Sequence, residues 1–249
     1  MIPTPIQSAL ATLRLHHVET LLLGGQASIL YGGAEFSRDL DLMLVAGAAT
    51  LPNLERALAD LDAELIAVPL LSAEALDRGH AVHFRCRRPD VAGLRLDLMT
   101  RPPRLEDLDG VWRRRVEIRL EGGSVAVVSL ADLIATKRTQ RDKDWAIIGA
   151  LVRADMVRQS DSAAGHEQLW LRESRDADDL VALATTFRPV AKALEAERPL
   201  LGAALRGDRA GLELELAQEQ IRGKQADRDY WAPLQMELER MRHAQRRLG

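Results

Sequence analysis

The segment Asp39-Leu40-Asp41-Leu42-Met43-Leu44-Val45 constrains this chain more than any other. Its length and apolar content suit a strand, and side chains on a strand alternate between the two faces. Asp39 and Asp41 therefore project to one side, Leu40 and Leu42 to the other. Such a strand needs a sheet with one covered face. It also needs something to offset the repulsion between two carboxylates held a few ångströms apart, and a cation between them would do so. Hard carboxylate oxygens favour Mg2+ or Mn2+, which keep positions open for substrate phosphates. An isolated Asp-x-Asp is more often a strand end facing water, so its neighbours decide.

Upstream, Gly24-Gly25 lies between the strand-like run Glu19–Leu23 and a short, mostly apolar helix over Gln26–Tyr31 that Gly32-Gly33 ends. Glycines in that position let backbone N–H groups approach a phosphate at a helix N-terminus, and Ser28 on the first turn is within reach of one. A glycine pair by itself is usually a turn. Downstream, Asp97 sits in Leu94-Arg95-Leu96-Asp97-Leu98-Met99. A carboxylate among leucines in a core strand is costly unless it is paired or metal-bound. With this strand beside the first, Asp97 completes a cluster of three carboxylates. Arg38 faces away from both aspartates, and a structural salt bridge is favoured for it over a phosphate contact.

The chain prefers arginine wherever it needs positive charge: 30 of its 34 basic residues are arginine, and the lysines are Lys137, Lys143, Lys192 and Lys224. In Leu130-Ala131-Asp132-Leu133-Ile134-Ala135-Thr136-Lys137, positions 130, 133, 134 and 137 form one helical stripe. Lys137 thus falls on a face that should be apolar. A lysine there commonly snorkels to water, but its rarity in this chain favours a functional role.

Around these residues the periodicity predicts a helix over Pro5–His16 and another from Thr50 to Leu61, with Thr50 as its cap and Pro52 in its first turn. Ala81–Cys86 and Leu94–Met99 read as a hairpin around Pro89-Asp90 and Gly93, and Val125–Val128 as the last strand. Ser129 with Asp132 three residues on matches a capping box. Beyond it helical periodicity continues to Gly249, broken near Ser160–Gly165, Pro199 and Gly207. The expected class is α+β, with an amino-terminal domain over 1–150 and a helical carboxy-terminal region over 151–249 for acceptor or partner recognition.

The net charge of −3 argues against bulk capture of nucleic acid or of an anionic membrane. From Arg85 to Leu120 arginines outnumber acids by four, which fits either a polynucleotide groove or the general arginine bias. Cys86 is the only cysteine, the N-terminus lacks the features of a secretory signal, and no run approaches the roughly 20 apolar residues that span a bilayer. A cytoplasmic protein without a membrane segment is expected. His16, His17, His80 and His83 lack metal-ligand spacing and are read as ordinary surface or core residues. Trp112, Trp145, Trp170 and Trp231 are read as core or interface anchors.

A glycine pair, Asp-x-Asp 14 residues after Gly25, and a third aspartate on a later strand together resemble the DNA polymerase β-like nucleotidyltransferase superfamily. The stretch from Gly24-Gly25-Gln26-Ala27-Ser28 to Ser37-Arg38-Asp39-Leu40-Asp41 is similar in order and spacing to the AbiEii-type toxins of abortive-infection toxin–antitoxin systems. The resemblance covers about Glu19 to Ile148. It implies a mixed sheet flanked by helices and transfer of a nucleotide from an NTP to an acceptor hydroxyl, with RNA, such as a tRNA 3′ end, as the acceptor. By the same resemblance Asp39, Asp41 and Asp97 would hold Mg2+ or Mn2+, and Gly24, Gly25 and Lys137 would clamp the β- and γ-phosphates. Asp144 would orient Lys137 or a nearby arginine, and an antitoxin protein would be a partner. Many members carry Gly-Ser where this chain has Gly-Gly, which removes a hydroxyl donor. The alternatives are transfer to a small molecule or a protein side chain, and a catalytically silent fold serving as a binding partner.

Overall fold

The computed structural model describes residues 3–45, 50–120, 123–160 and 162–248. The chain divides into two compact units. One comprises Met1–Leu30, Glu35–Thr136 and Tyr230–Gly249, the other Tyr31–Ala34 and Lys137–Asp229.

The first unit is α+β. Its elements in chain order are α1 (Thr4–Leu15), β1 (Thr20–Leu22), α2 (Gly24–Leu30), β2 (Asp39–Leu44), α3 (Thr50–Asp60), β3 (Ala63–Leu65), α4 (Ala73–Asp77), β4 (Val82–Cys86), β5 (Arg95–Met99), α5 (Leu108–Arg113), β6 (Val116–Leu120), β7 (Gly123–Val127) and α6 (Leu130–Thr136). The strands form one mixed sheet in the order β3-β4-β5-β2-β1-β7-β6. The β2–β5 and β1–β7 pairs are parallel and the rest antiparallel.

β2 is central because its sequence can afford no open edge. Leu40, Leu42, Met43 and Leu44 are all buried, and the same-face neighbours Leu96 and Leu98 on β5 are fully so. Removing each such leucine from water contributes about 1.5–3 kcal/mol. The β4–β5 hairpin closes around a 3₁₀ turn at Pro89–Val91, where the Gly93 N–H donates to the Cys86 carbonyl at 2.9 Å. Gly93 has φ +82°, the left-handed region that its missing Cβ permits.

Two strands lie outside the elements expected from sequence. β6 pairs with β7 at one edge of the sheet, and its residues are exposed or half-buried throughout. β3 at the other edge is only three residues long and never fully buried. An edge strand with little to bury carries no apolar run. For the same reason the expected last strand at Val125–Val128 turns out to be the inner half of a hairpin. Thr50 is the first residue of α3, and its hydroxyl donates to the Val45 carbonyl at 2.8 Å. The Ser129–Asp132 box forms: the Asp132 N–H donates to Ser129 Oγ at 3.2 Å, and the hydroxyl donates to the Asp132 carboxylate at 2.6 Å.

The second unit is helical: α7 (Asp142–Arg158), α8 (Glu167–Glu173), α9 (Ala177–Thr186), α10 (Arg188–Leu194), α11 (Leu201–Arg206) and α12 (Arg209–Leu248). Residues of α12 up to Asp229 belong to this unit and those from Tyr230 on to the first. Trp145, Leu151, Trp170, Leu171, Leu183, Leu201 and Leu212 are buried in its core. Gly207, at φ +72°, ends α11, and Asp176 caps α9 by accepting from the Asp178 and Asp179 N–H groups. Residue 161, inside the expected break at 160–165, lies outside the described residues. Among the described residues no helix is long and apolar enough to cross a membrane.

Candidate active site

The site is a product of strand register. On the parallel β2–β5 pair, Asp41 stands opposite Asp97 and Asp39 opposite Arg95. On the antiparallel β4–β5 pair, His83 stands opposite Asp97 and Arg85 opposite Arg95. Directly opposite residues share a face of the sheet. One row therefore reads His83, Asp97, Asp41 and the next reads Arg85, Arg95, Asp39. All six lie on the face away from Leu40, Leu96 and Phe84.

Asp97 is the most enclosed of the three acids, at 8% exposure. Its Oδ1 accepts hydrogen bonds from Arg95 Nε and His83 Nδ1, each at 2.8 Å. An ionised carboxylate only accepts, so His83 carries its proton on Nδ1. Arg95 Nη2 also lies 3.2 Å from Nδ1. That nitrogen cannot accept while it donates to Asp97, and the shorter bond to the carboxylate is the one that counts. Burial pushes the Asp97 carboxyl up, but the hydrogen bonds and positive charge of His83 and Arg95 outweigh it and hold the group below the ordinary carboxylate value. The hydrogen bond to Asp97 raises Arg95, burial opposes this, and the fields of Asp97, Asp39 and Asp41 add to the rise. The guanidinium thus senses all three acids.

Asp41 is held from the other side. The Gly25 N–H donates to its Oδ2 at 3.3 Å. Gly24 has φ +66°, and a Cβ there would lie 2.0 Å from the same oxygen. The glycine pair makes room for a carboxylate and gives it a hydrogen bond. Ser28 is fully buried, and its hydroxyl donates to the Gly24 carbonyl at 2.8 Å, so it ties down the turn and does not present a free donor. Arg38 is exposed. Among the described residues no carboxylate pairs with it, contrary to the expected salt bridge, and its guanidinium lies 5.5 Å from the Phe36 ring centroid.

Lys137 and Asp144 belong to the second unit. Lys137 does not snorkel: its side chain is 9% exposed, with Nζ 3.6 Å from Asp144 Oδ1. Asp144 is itself buried, and its Oδ2 accepts from Thr139 Oγ1 and Arg141 Nε, both at 2.6 Å. The burial of this lysine is explained by the acid that meets it. The arginines between 85 and 120 are largely engaged: Arg87 with Glu64, Arg88 with Asp60 and Asp90, Arg114 with Asp132, and Arg115 with Glu117. That leaves arginine bias as the better account of the cluster.

The donor set of Asp39, Asp41 and Asp97 suits a hard divalent cation in its chemistry and its register. Among the described residues, no three Asp, Glu, His or Cys side chains are poised as they stand to grip one ion. Arg95 and His83 both donate to Asp97. Neither was singled out from sequence, although the hairpin register follows from pairing Val82 with Leu98 and counting inward.

No family model matches this chain, and no curated protein does. Nine solved chains match. An antigenic nucleotidyltransferase-like protein from Paracoccidioides brasiliensis is 16% identical, with 82% of this chain and 93% of that one covered and a TM-score of 0.36. The protein JHP933 from Helicobacter pylori is 14% identical over 98% of this chain and 94% of its own, at 0.34. A tRNA-processing enzyme is 14% identical over 87% of this chain and 59% of its own, also at 0.34. Likenesses of this size assign no function, and the geometry of the site has to.

Proposed function

We propose that this chain is a metal-dependent nucleotidyltransferase that moves a nucleotide from an NTP to an acceptor hydroxyl. The observation that carries the reading is the register that sets Asp41 beside Asp97, with Asp39 two residues before it on the same face. Three carboxylates on two adjacent inner strands of a sheet are expensive to keep unless they serve a cation.

In this reading Asp39 and Asp41 hold Mg2+ or Mn2+, and Asp97 shares in the ligation. Bound there, the ion would neutralise charge on the α-phosphate and on the departing pyrophosphate. Gly24 and Gly25 keep Asp41 aimed, the first by lacking a Cβ and the second by its N–H. Asp97, held acidic by His83 and Arg95, is better suited to accept a hydrogen bond from the acceptor hydroxyl, and so orient it, than to take its proton. The phosphate contact of Lys137 and the orienting role of Asp144 rest on the family resemblance, and a phosphate contact by Arg38 is the second of the two readings its sequence position allows.

The resemblance to AbiEii-type toxins puts RNA, and tRNA in particular, first among acceptors, and makes an antitoxin protein a partner to look for. Incubation with labelled NTPs, Mg2+ and total RNA tests the assignment. Labelled RNA supports it, and label on a small molecule or a protein moves the acceptor to another class. No label with any acceptor or metal leaves only a silent binding fold. Asp39→Ala and Asp41→Ala each abolish labelling if the roles are right, and label surviving in either removes that residue from the mechanism.

A further inference from the structure

We infer that Arg95 is a resident counter-cation of the acidic face, and that its charge and its bond to Asp97 weaken the binding of a divalent ion there. The inference rests on the proposed cation site and adds what sets the affinity of that site.

Asp39, Asp41 and Asp97 put three negative charges on one patch of two adjacent strands. Arg95 answers this from within. Its backbone stands opposite Asp39, its Nε donates to Asp97 Oδ1 at 2.8 Å, and the fields of Asp39 and Asp41 also bear on its guanidinium. His83 supplies the second hydrogen bond to the same oxygen. With both bonds in place Oδ1 is saturated, so an ion that takes this oxygen has to displace a donor.

Exposure says which partner yields. The Asp97 side chain is 11% exposed and His83 26%, whereas Arg95 is 38% exposed. A long guanidinium stem with an open route to water can swing away, while the carboxylate stays where the strand puts it. Arg85 and His83 lie on the same side, but of the two arginines opposite these acids it is Arg95 that donates to Asp97. Arg95 thus stabilises the metal-free fold and weakens the first encounter with metal. It acts through Asp97 and is a positioning residue.

The test is direct Mn2+ binding to the full chain, followed by the electron paramagnetic resonance of free Mn2+, with thermal melting in EDTA alongside. Arg95→Met keeps the length of the stem and removes the charge. It should bind Mn2+ roughly tenfold or more tightly than the unaltered chain, because a like charge within a few ångströms of the ion is gone. In EDTA it should melt earlier, and Mn2+ should restore it. Arg95→Lys, which keeps the charge, should bind as the unaltered chain does.

Equal or weaker binding by Arg95→Met, with Asp41→Asn abolishing binding, overturns the inference and leaves the proposed function intact. Equal tightening in both Arg95 variants also overturns it, since space and not charge would then govern. Absence of Mn2+ binding in every protein, the unaltered chain included, overturns both.

Discussion

Two charged clusters, one in each unit, are built in opposite senses. On the acidic face of the sheet, Asp39, Asp41 and Asp97 share one side with Arg85, Arg95 and His83, and Arg95 and His83 donate to Asp97. In the helical unit, Glu219 meets both Arg175 and Arg198, with the charge of Arg138, itself paired with Glu173, also bearing on it. Arg198 is 6% exposed, and its remaining donors go to the Leu171 and Ser174 carbonyls at 2.8 and 2.9 Å. Burial pushes Glu219 up, and the three arginines more than reverse it. A cluster with surplus positive charge and satisfied donors is complete in itself and works as structure. A cluster short of positive charge asks for something from outside, which is why only the first reads as a reaction centre.

Asp41→Asn should break the comparison most visibly. Nucleotide transfer should fall by at least about a hundredfold, since even partners of metal ligands are worth 10–100-fold. Melting in EDTA should not fall, because one of three repelling charges has gone while the Gly25 N–H keeps an acceptor. Glu219→Gln should do the reverse. It leaves Arg175 and Arg198 facing an uncharged group in a partly buried setting and should cost about 2–3 kcal/mol in urea denaturation, with transfer per folded molecule unchanged. Loss of transfer in both variants, or loss of stability in both, would erase the distinction.

Gly24→Ala probes how closely the acidic face is fitted. The new Cβ would need φ +66° and would collide with Asp41 Oδ2. Its cost should be about 1–2 kcal/mol, with transfer reduced through the displaced carboxylate.

The smallest effect is at Glu237, on the part of α12 that belongs to the first unit. Hydrogen bonds from Arg78 and His80 hold this carboxyl down to about 2. A depressed carboxylate contributes stability that is present above the ordinary glutamate value, about 4.3, and is lost as pH falls through its folded value. Thermal melts of the unaltered chain and of Glu237→Gln should therefore differ at pH 7 and converge towards pH 2. A difference that persists at pH 2 would remove the ion pair as its cause.

What could be read from sequence follows from how local the signal is. Asp39 and Asp41 share a face because two residues make one strand period, and Ser129 and Asp132 form their box because three residues make one helical turn. The β4–β5 hairpin was visible in its turn residues. The parallel β2–β5 pairing has no local mark, so Asp97 beside Asp41 could only be an expectation until the sheet order was known. Arg95 and His83 carry no mark of a role in the sequence, because what they do depends on the acid that the sheet sets beside them. β3 is too short to leave a pattern, whereas β6, Val116-Glu117-Ile118-Arg119-Leu120, alternates as a strand does even though it buries little; Lys137 looks anomalous in sequence because the acid that meets it, Asp144, lies seven residues away on the next helix.

The most direct measurement is a crystal soaked with Mn2+ and a non-hydrolysable NTP, read by anomalous scattering. The account predicts a Mn2+ peak in contact with the carboxylates of Asp39 and Asp41, with Arg95 drawn off Asp97. A Mn2+–nucleotide complex bound elsewhere, with the Arg95–Asp97 bond intact, would contradict it.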